Sequence, residues 1–263
     1  MNDRLRGDPQ ETMAADVARS LTDAPQRWLS PKWFYDDLGS TLFDAITRLE
    51  EYYPTARERA ILTDRADEIA SSGADTLIEL GSGTSDKTRI LLEAFGRAGR
   101  LHRFCPLDVS ETTLGAAADA IAGSHPGLDV EPVVGDFLHD LDRIPREGRR
   151  LIVFLGGTIG NLTPDEQGDF LARVAVGLNP GDGLLLGTDL VKDPERLIAA
   201  YDDPIGVTAE FDRNVLAVLN RSLDADFVLR AWRHEARWDA ADERIEMHLV
   251  ATTAQTVTVR RAD

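Results

Sequence analysis

DTLIELGSGTSDKTRILL, residues 75–92, reads as a buried strand, a glycine turn and a helix, and it sets the fold class of the whole chain. Thr76 to Leu80 form a short apolar run bounded by glycine, and Ile90, Leu91 and Phe95 recur at helical spacing after Lys87. The chain therefore passes from strand to helix through Gly81-Ser82-Gly83-Thr84. Glycine permits a tight turn and a close backbone approach there, and the amides at a helix start attract negative charge.

Outward from this unit the same grammar repeats. Strands are expected at Thr76–Leu80, Arg103–Asp108, Val130–Val134, Leu151–Leu155 and Gly183–Thr188, separated mostly by helical segments. Such alternation predicts an α/β fold with a doubly wound, mostly parallel sheet covered on both faces. The helix after the fourth strand has a legible start in Thr163-Pro164-Asp165-Glu166: an N-cap threonine, proline at the first helical position and a capping-box glutamate. Before the sheet, apolar residues recur at helical spacing over Thr12 to Asp23 and Gly39 to Ile61, with breaks expected at Ser30-Pro31 and Tyr53-Pro54. From Pro194 the pattern changes. Helices are expected around Pro194–Asp202 and Val207–Ser222, then strands at Val228–Trp238, Arg244–Ala251 and Thr256–Arg260 in an antiparallel meander, the first pair joined by Asp239-Ala240-Ala241-Asp242. The expected division is an N-terminal helical segment (1–60), an α/β core (61–192) and an α+β insertion (193–263). The first and last together form a smaller second domain.

Composition narrows the function classes. A chain of 263 residues, 43% hydrophobic, buries one large core with a smaller lobe attached. A net charge of −17 argues against nucleic acid or anionic lipid held by a broad basic surface, and favours a small-molecule substrate. The N-terminal MNDRLRGDPQETM holds no apolar stretch of signal-peptide type, and no window approaches the length of a membrane span, so a cytoplasmic enzyme is expected; a monomer is the expected state. Cys105, the only cysteine, sits in an apolar strand and is expected to pack rather than react. The five histidines show no paired ligand spacing, and no metal site is expected.

Three cofactor classes use a turn of this kind. A dinucleotide fingerprint requires glycine where Asp86 stands, and the triphosphate-cradling G-x-x-x-x-G-K-[ST] fits Gly81 to Thr88 except at that same carboxylate, which would repel phosphate. A methyl donor with a cationic sulfonium and no phosphate meets no such objection. Asp108, ending the second strand, stands where such folds place an acid on ribose hydroxyls. The turn and Asp108 together favour the methyl donor, with a dinucleotide, a triphosphate and a bare structural turn remaining open.

Ligand-binding residues should collect at the carboxyl ends of the parallel strands. Besides the Gly81 turn with Lys87, and Asp108, these ends carry Gly135-Asp136-Phe137, where a carboxylate beside an aromatic could meet an adenine. They also carry Gly156-Gly157-Thr158-Ile159-Gly160-Asn161, a glycine-rich loop ending in an amide. Each alone has a plain structural alternative, as an ordinary loop acid or a tight turn.

Five segments, SPKWFYDDLGSTLFDAITRLEEYYPT, ELGSGTSDKTRILL, GDFLHDL, FLGGTIGNLTPDE and LLLGTDLVKD, together resemble the S-adenosylmethionine-dependent histidine N-alpha-methyltransferases of ergothioneine biosynthesis, from about Ser30 through Met247. The resemblance implies a class I methyltransferase core and a second domain made of the N-terminal helices and the insertion after the fifth strand. It implies S-adenosylmethionine on Gly81, Lys87, Asp108, Asp136 and Phe137. For the substrate, L-histidine, it implies that Asn161 and Tyr201 hold the carboxylate, that Tyr52 approaches the imidazole, and that Gly156 and the catalytic Tyr35 lie near the reacting amine. The implied product is the trimethylated betaine, hercynine. In that family the chain continues beyond the antiparallel strands and supplies the last core strands plus an acidic residue and a serine that read the ring. Nothing after Arg260 matches, so a C-terminal truncation is expected, with the fifth core strand left as a sheet edge. Rival readings are a same-family enzyme acting on another amino acid or a prenylated tryptophan, a catalytically silent donor-binding module, and a nicotinamide-dependent oxidoreductase.

Overall fold

In the computed structural model, which describes residues 9–22 and 26–262, the chain divides into two compact units. One is continuous, Pro54–Leu190; the other joins the stretch up to Tyr53 with the stretch from Val191 onward.

The continuous unit is built on a parallel sheet of β1 (Thr76–Leu80), β2 (Arg103–Asp108), β3 (Asp129–Val130), β4 (Val133–Val134), β5 (Arg150–Phe154) and β6 (Gly183–Leu186). The order is β3-β2-β1-β5-β6, with β4 also pairing with β2. β1 and β5 are buried along their whole length because helices cover both faces. On one face Leu77, Leu151 and Val153 meet Leu62, Ala66 and Ala70 of α3 (Tyr53–Ala70) and Leu91, Leu92 and Phe95 of α4 (Thr88–Ala98). On the other, Ile78, Leu80, Cys105, Leu107, Ile152 and Phe154 meet Phe170 and Val174 of α6 (Pro164–Gly177). Each buried Leu, Ile or Phe contributes about 1.5–3 kcal/mol, against at most about 1 kcal/mol for an exposed ion pair, so apolar burial decides this arrangement. Thr163 and Glu166 form the expected reciprocal capping box at the start of α6. α5 (Glu111–Ser124) starts on Ser110, whose side chain accepts from the Thr113 amide.

Three elements depart from their expected bounds. The strand expected at Val130–Val134 is interrupted between β3 and β4, where Pro132 has no N–H to give to the ladder. Tyr53-Pro54 does not break a helix; it opens α3, in whose first turn proline is tolerated, and the interruption falls before it. β6 ends at Leu186 rather than Thr188 and pairs only with β5, so it is one edge of the sheet among the described residues, as expected.

The discontinuous unit contains α1 (Pro9–Thr22), α2 (Asp37–Ile46), α7 (Pro194–Tyr201), α8 (Val207–Leu223) and an antiparallel pair, β7 (Trp232–Asp239) with β8 (Arg244–Ala251). Of the first expected helix, Asp23 lies outside the described residues. α8 is the central element: Phe211, Val215, Leu216 and Leu219 are buried in one cluster with Val17, Phe34, Ile46 and Tyr52. Asp36 caps α2 on the Gly39 amide at 2.8 Å, accepts from Asn214 of α8 at 2.7 Å and pairs with Arg221. The expected third strand, Thr256–Arg260, does not join the meander. Asp226 captures the Thr258 amide at 2.8 Å and Val259 makes a single bridge to Ala225, so this segment pairs with the chain that follows α8. The strand expected from Val228 also begins later, because Leu229–Ala231 coil into one 3-10 turn.

No helix among the described residues is long and apolar enough to cross a membrane.

Candidate active site

The strand order reverses direction between β1 and β5, and such a switch point leaves a crevice at the carboxyl ends of the strands. The Gly81 turn follows β1 and the Gly156 loop follows β5. Gly81, Gly83, Gly156 and Gly157 all have left-handed backbones, with φ of 64°, 48°, 78° and 67°, which explains glycine at these four positions. Ser85 also has positive φ, 54°, and it is held there by Glu79 of β1. The buried Glu79 carboxyl accepts from Ser85 Oγ at 2.7 Å and from Thr88 Oγ1, so the acid inside the strand fastens the end of the turn and the start of α4. Burial pushes its carboxyl up to about 7; the Thr88 and Ser85 hydroxyls and the Lys87 charge restrain the rise.

The five residues expected around a methyl donor gather here. Asp108 accepts the Gly83 amide on one oxygen and the Ser110 amide on the other, each at 2.9 Å. The Phe137 ring lies 3.8 Å from where a Cβ on Gly81 would stand, with the Thr158 methyl group 4.0 Å from it. That ring is backed by Phe154 and Phe170 at 5.0 and 5.8 Å between centroids. Asp136 accepts the Leu138 amide at 2.9 Å, which folds the loop that presents Phe137. Lys87 Nζ lies 3.4 Å from the corresponding Cβ position of Gly156. These groups suit S-adenosylmethionine: bare backbone at Gly81, an aromatic ring, a carboxylate with unused lone pairs and a cation. Ser82 Oγ, in the same turn, is buried without a hydrogen-bond partner among the described residues.

Asp86 does not act as the sequence suggested. Its side chain is exposed and reaches 3.9 Å from Arg89, so it faces solvent rather than the turn.

The substrate residues fall into two groups. Gly156 and the exposed Asn161 belong to the loop after β5, Asn161 ending the 3-10 turn Thr158–Asn161 just before the Thr163 cap. The Gly156 amide is committed to Glu58 of α3, at 2.8 and 3.0 Å from its two carboxylate oxygens. Tyr35, Tyr52 and Tyr201 belong to the discontinuous unit and meet in one aromatic cluster. Tyr52 packs edge-on against Tyr201 at 5.6 Å, and Phe43 lies 5.5 Å from Tyr35 and 6.2 Å from Tyr52.

Sequence reading missed three acids and a histidine. Glu58 pairs with Lys87, and Glu79 holds the turn. His234 of β7 donates from both ring nitrogens, Nδ1 to Asp212 Oδ2 of α8 and Nε2 to the Tyr201 carbonyl, each at 2.7 Å. Side-chain exposures are 1% for His234 and 3% for Asp212. Both partners of the ring are acceptors, so the geometry calls for the doubly protonated imidazolium. Burial opposes that charge, but the Asp212 carboxylate, the Tyr201 carbonyl and Asp202 outweigh it and raise the pKa above its ordinary value. A faint signal existed in the alternation of β7, where His234 and Ala236 fall on one face. Cys105 is buried as expected, its thiol pushed up to about 12 by burial.

Residues 13–263 match the family described as "Histidine-specific methyltransferase, SAM-dependent". Histidine N-alpha-methyltransferase of Mycolicibacterium smegmatis is 58% identical over 254 residues, covering 96% of this chain and 79% of that protein. The enzyme of the same name from Mycobacterium tuberculosis is 57% identical, covering 94% and 77%. Ergothioneine biosynthesis protein 1 of Neurospora crassa is 36% identical over 80% of this chain and 25% of its own length. With nearly the whole chain matched and identity this high, the protein belongs to the S-adenosylmethionine-dependent histidine-specific methyltransferases.

Proposed function

We propose that this enzyme methylates the alpha-amine of L-histidine three times, giving the betaine hercynine for ergothioneine biosynthesis, and that it works as a cytoplasmic monomer. The observation that carries the reading is the gathering of Gly81, Lys87, Asp108, Phe137 and Gly156 at the switch point of a sheet whose chain belongs to this family.

When bound, the donor supplies an electrophilic methyl group on a sulfonium that leaves as a neutral thioether. The protein's task is then alignment and exclusion of water. Asp108 takes the ribose hydroxyls, Asp136 and Phe137 take the adenine, and Lys87 takes the donor's carboxylate. Asn161 and Tyr201 hold the histidine carboxylate by neutral hydrogen bonds, adding no fixed cation beside a cationic donor. Tyr52 borders the imidazole. Tyr35 and Gly156 border the amine, which attacks in its neutral form. As the new carbon–nitrogen bond forms the carbon–sulfur bond breaks, and the ammonium proton then leaves past Tyr35 to water before the next transfer. Aromatic faces of the tyrosines favour the increasingly methylated cation.

The test is mass spectrometry of L-histidine incubated with enzyme and S-adenosylmethionine, with tryptophan and other amino acids in parallel. Mono-, di- and trimethylated histidine are expected in succession. Donor binding in calorimetry without methyl gain on histidine would overturn the assignment.

A further inference from the structure

Glu58 lies on α3, outside every segment that the cofactor reading uses, yet its carboxylate is engaged by both Lys87 and the Gly156 amide at the carboxyl end of the sheet. One oxygen is paired with Lys87 Nζ, and the Gly156 amide points at both oxygens. The side chain is only 16% exposed. Room for it is made on the far side by Gly187, just beyond β6: a Cβ there would stand 2.1 Å from Glu58 Oε1. One carboxylate thus ties together α3, the residue that precedes α4 and the loop after β5, in space that Gly187 leaves open beyond β6.

This arrangement has a chemical consequence for Lys87. A lysine carries its charge on a flexible four-carbon stem and loses much rotamer freedom when it must hold one position. Paired with Glu58, the ammonium is held beside Gly156, and two of its three protons remain to be offered elsewhere. The pair is also neutral as a whole, so it presents a local dipole rather than an excess cation.

We infer that Glu58 is a positioning residue for the donor: by fixing Lys87 and the Gly156 amide, it makes the site select ligands that carry an amino acid end. The inference rests on the reading of Lys87 as the residue that takes the donor's carboxylate. Glu58 itself performs no chemistry, and its influence is on which sulfur nucleoside is bound and how tightly.

Calorimetry with two ligands tests this. S-adenosylhomocysteine carries the amino acid end, whereas methylthioadenosine keeps the nucleoside and sulfur without it. For E58Q, whose amide oxygen can still accept from Gly156 but cannot pair with an ammonium, S-adenosylhomocysteine affinity falls about tenfold while methylthioadenosine affinity stays within about twofold. K87M produces the same pattern, and the double variant loses little more than either single one, because both remove one interaction. Equal losses for both ligands in E58Q would reduce Glu58 to a structural tie and overturn the proposal, as would losses that multiply in the double variant. If E58Q does not fold, G187A displaces the same carboxylate by its methyl group and is read by the same ratio. Wild-type protein that failed to prefer S-adenosylhomocysteine would overturn the Lys87 reading together with this inference. A wild-type preference retained in E58Q would overturn this inference alone.

Discussion

Asp108 and Glu79 show how differently two acids on neighbouring strands can be read from sequence. Asp108 was legible because it ends a strand at the side of the sheet where ligands bind, and the structure finds it facing the Gly83 amide. Asp108→Asn should weaken S-adenosylhomocysteine binding about tenfold, equivalent to about 1.4 kcal/mol, with little change in thermal stability; calorimetry and a melting curve check both. Glu79 was illegible, because an acid within an apolar run carries no mark of being fully buried. Its role depends on Ser85 and Thr88 returning to it across the turn, a contact that spacing alone does not reveal. Its raised pKa makes a signed prediction. The folded protein holds the Glu79 proton up to about pH 7, whereas the unfolded chain releases it at the ordinary carboxylate value, so this group's contribution is fully present at low pH and is lost as pH rises through about 7. Urea midpoints measured from about pH 5 to pH 8 should fall less steeply in Glu79→Gln than in the wild type. Parallel slopes would contradict it. Asp86 gives the opposite lesson: its identity pointed towards the cofactor that the family uses, while its side chain turned out to face Arg89 and solvent.

Among the elements, legibility followed burial. β1 and β2 occupy the expected ranges because a strand buried on both faces must be continuously apolar. The segment at Thr256–Arg260 alternates threonine and valine as a strand would but joins no sheet among the described residues; a single carboxylate, Asp226, captures the Thr258 amide instead. Local pattern does not record such a long-range competitor. The joint between α7, α8 and β7 was likewise hidden, since His234, Asp212 and Tyr201 are far apart in sequence and meet only after folding. Its pH behaviour follows from the raised His234 pKa. Stability from this contact is fully present below the unfolded histidine's ordinary value and is lost as pH rises through the higher folded value. In an NMR titration the His234 ring should change protonation above the ordinary histidine value, and Asp212→Asn should bring that transition down. A wild-type ring titrating at or below the ordinary value would refute the imidazolium. Because Tyr201 is held through its carbonyl, the proposed role of its side chain on the histidine carboxylate predicts that Asp212→Asn raises the KM for histidine more than that for the donor.

For the molecule as a whole, alternating strands and helices were enough to give the α/β class, because each helix must cover a sheet that is apolar on both faces. The tyrosines could be reached only through family likeness: Tyr35, Tyr52 and Tyr201 lie in an aromatic cluster, and such a cluster reads as core whether or not a ligand borders it. One feature of the fold also bears on how the protein is made. Asp36 and Arg221, which pair within one unit, stand 185 residues apart, and every strand of the parallel sheet among the described residues is encoded between them. On the ribosome, residues 54–190 can close their sheet while α8 has yet to be translated, whereas α1 and α2 emerge early and must wait for the helix against which they pack. In refolding of the whole chain the same contacts also close the longer loop, so in pulse-labelled hydrogen exchange amides of β1 and β5 should gain protection before those of α2, and simultaneous protection would refute this order. Until α8 arrives, the nascent chain carries Phe34, Ile46 and Tyr52 without their partners in α8, and apolar surface left open in this way favours aggregation.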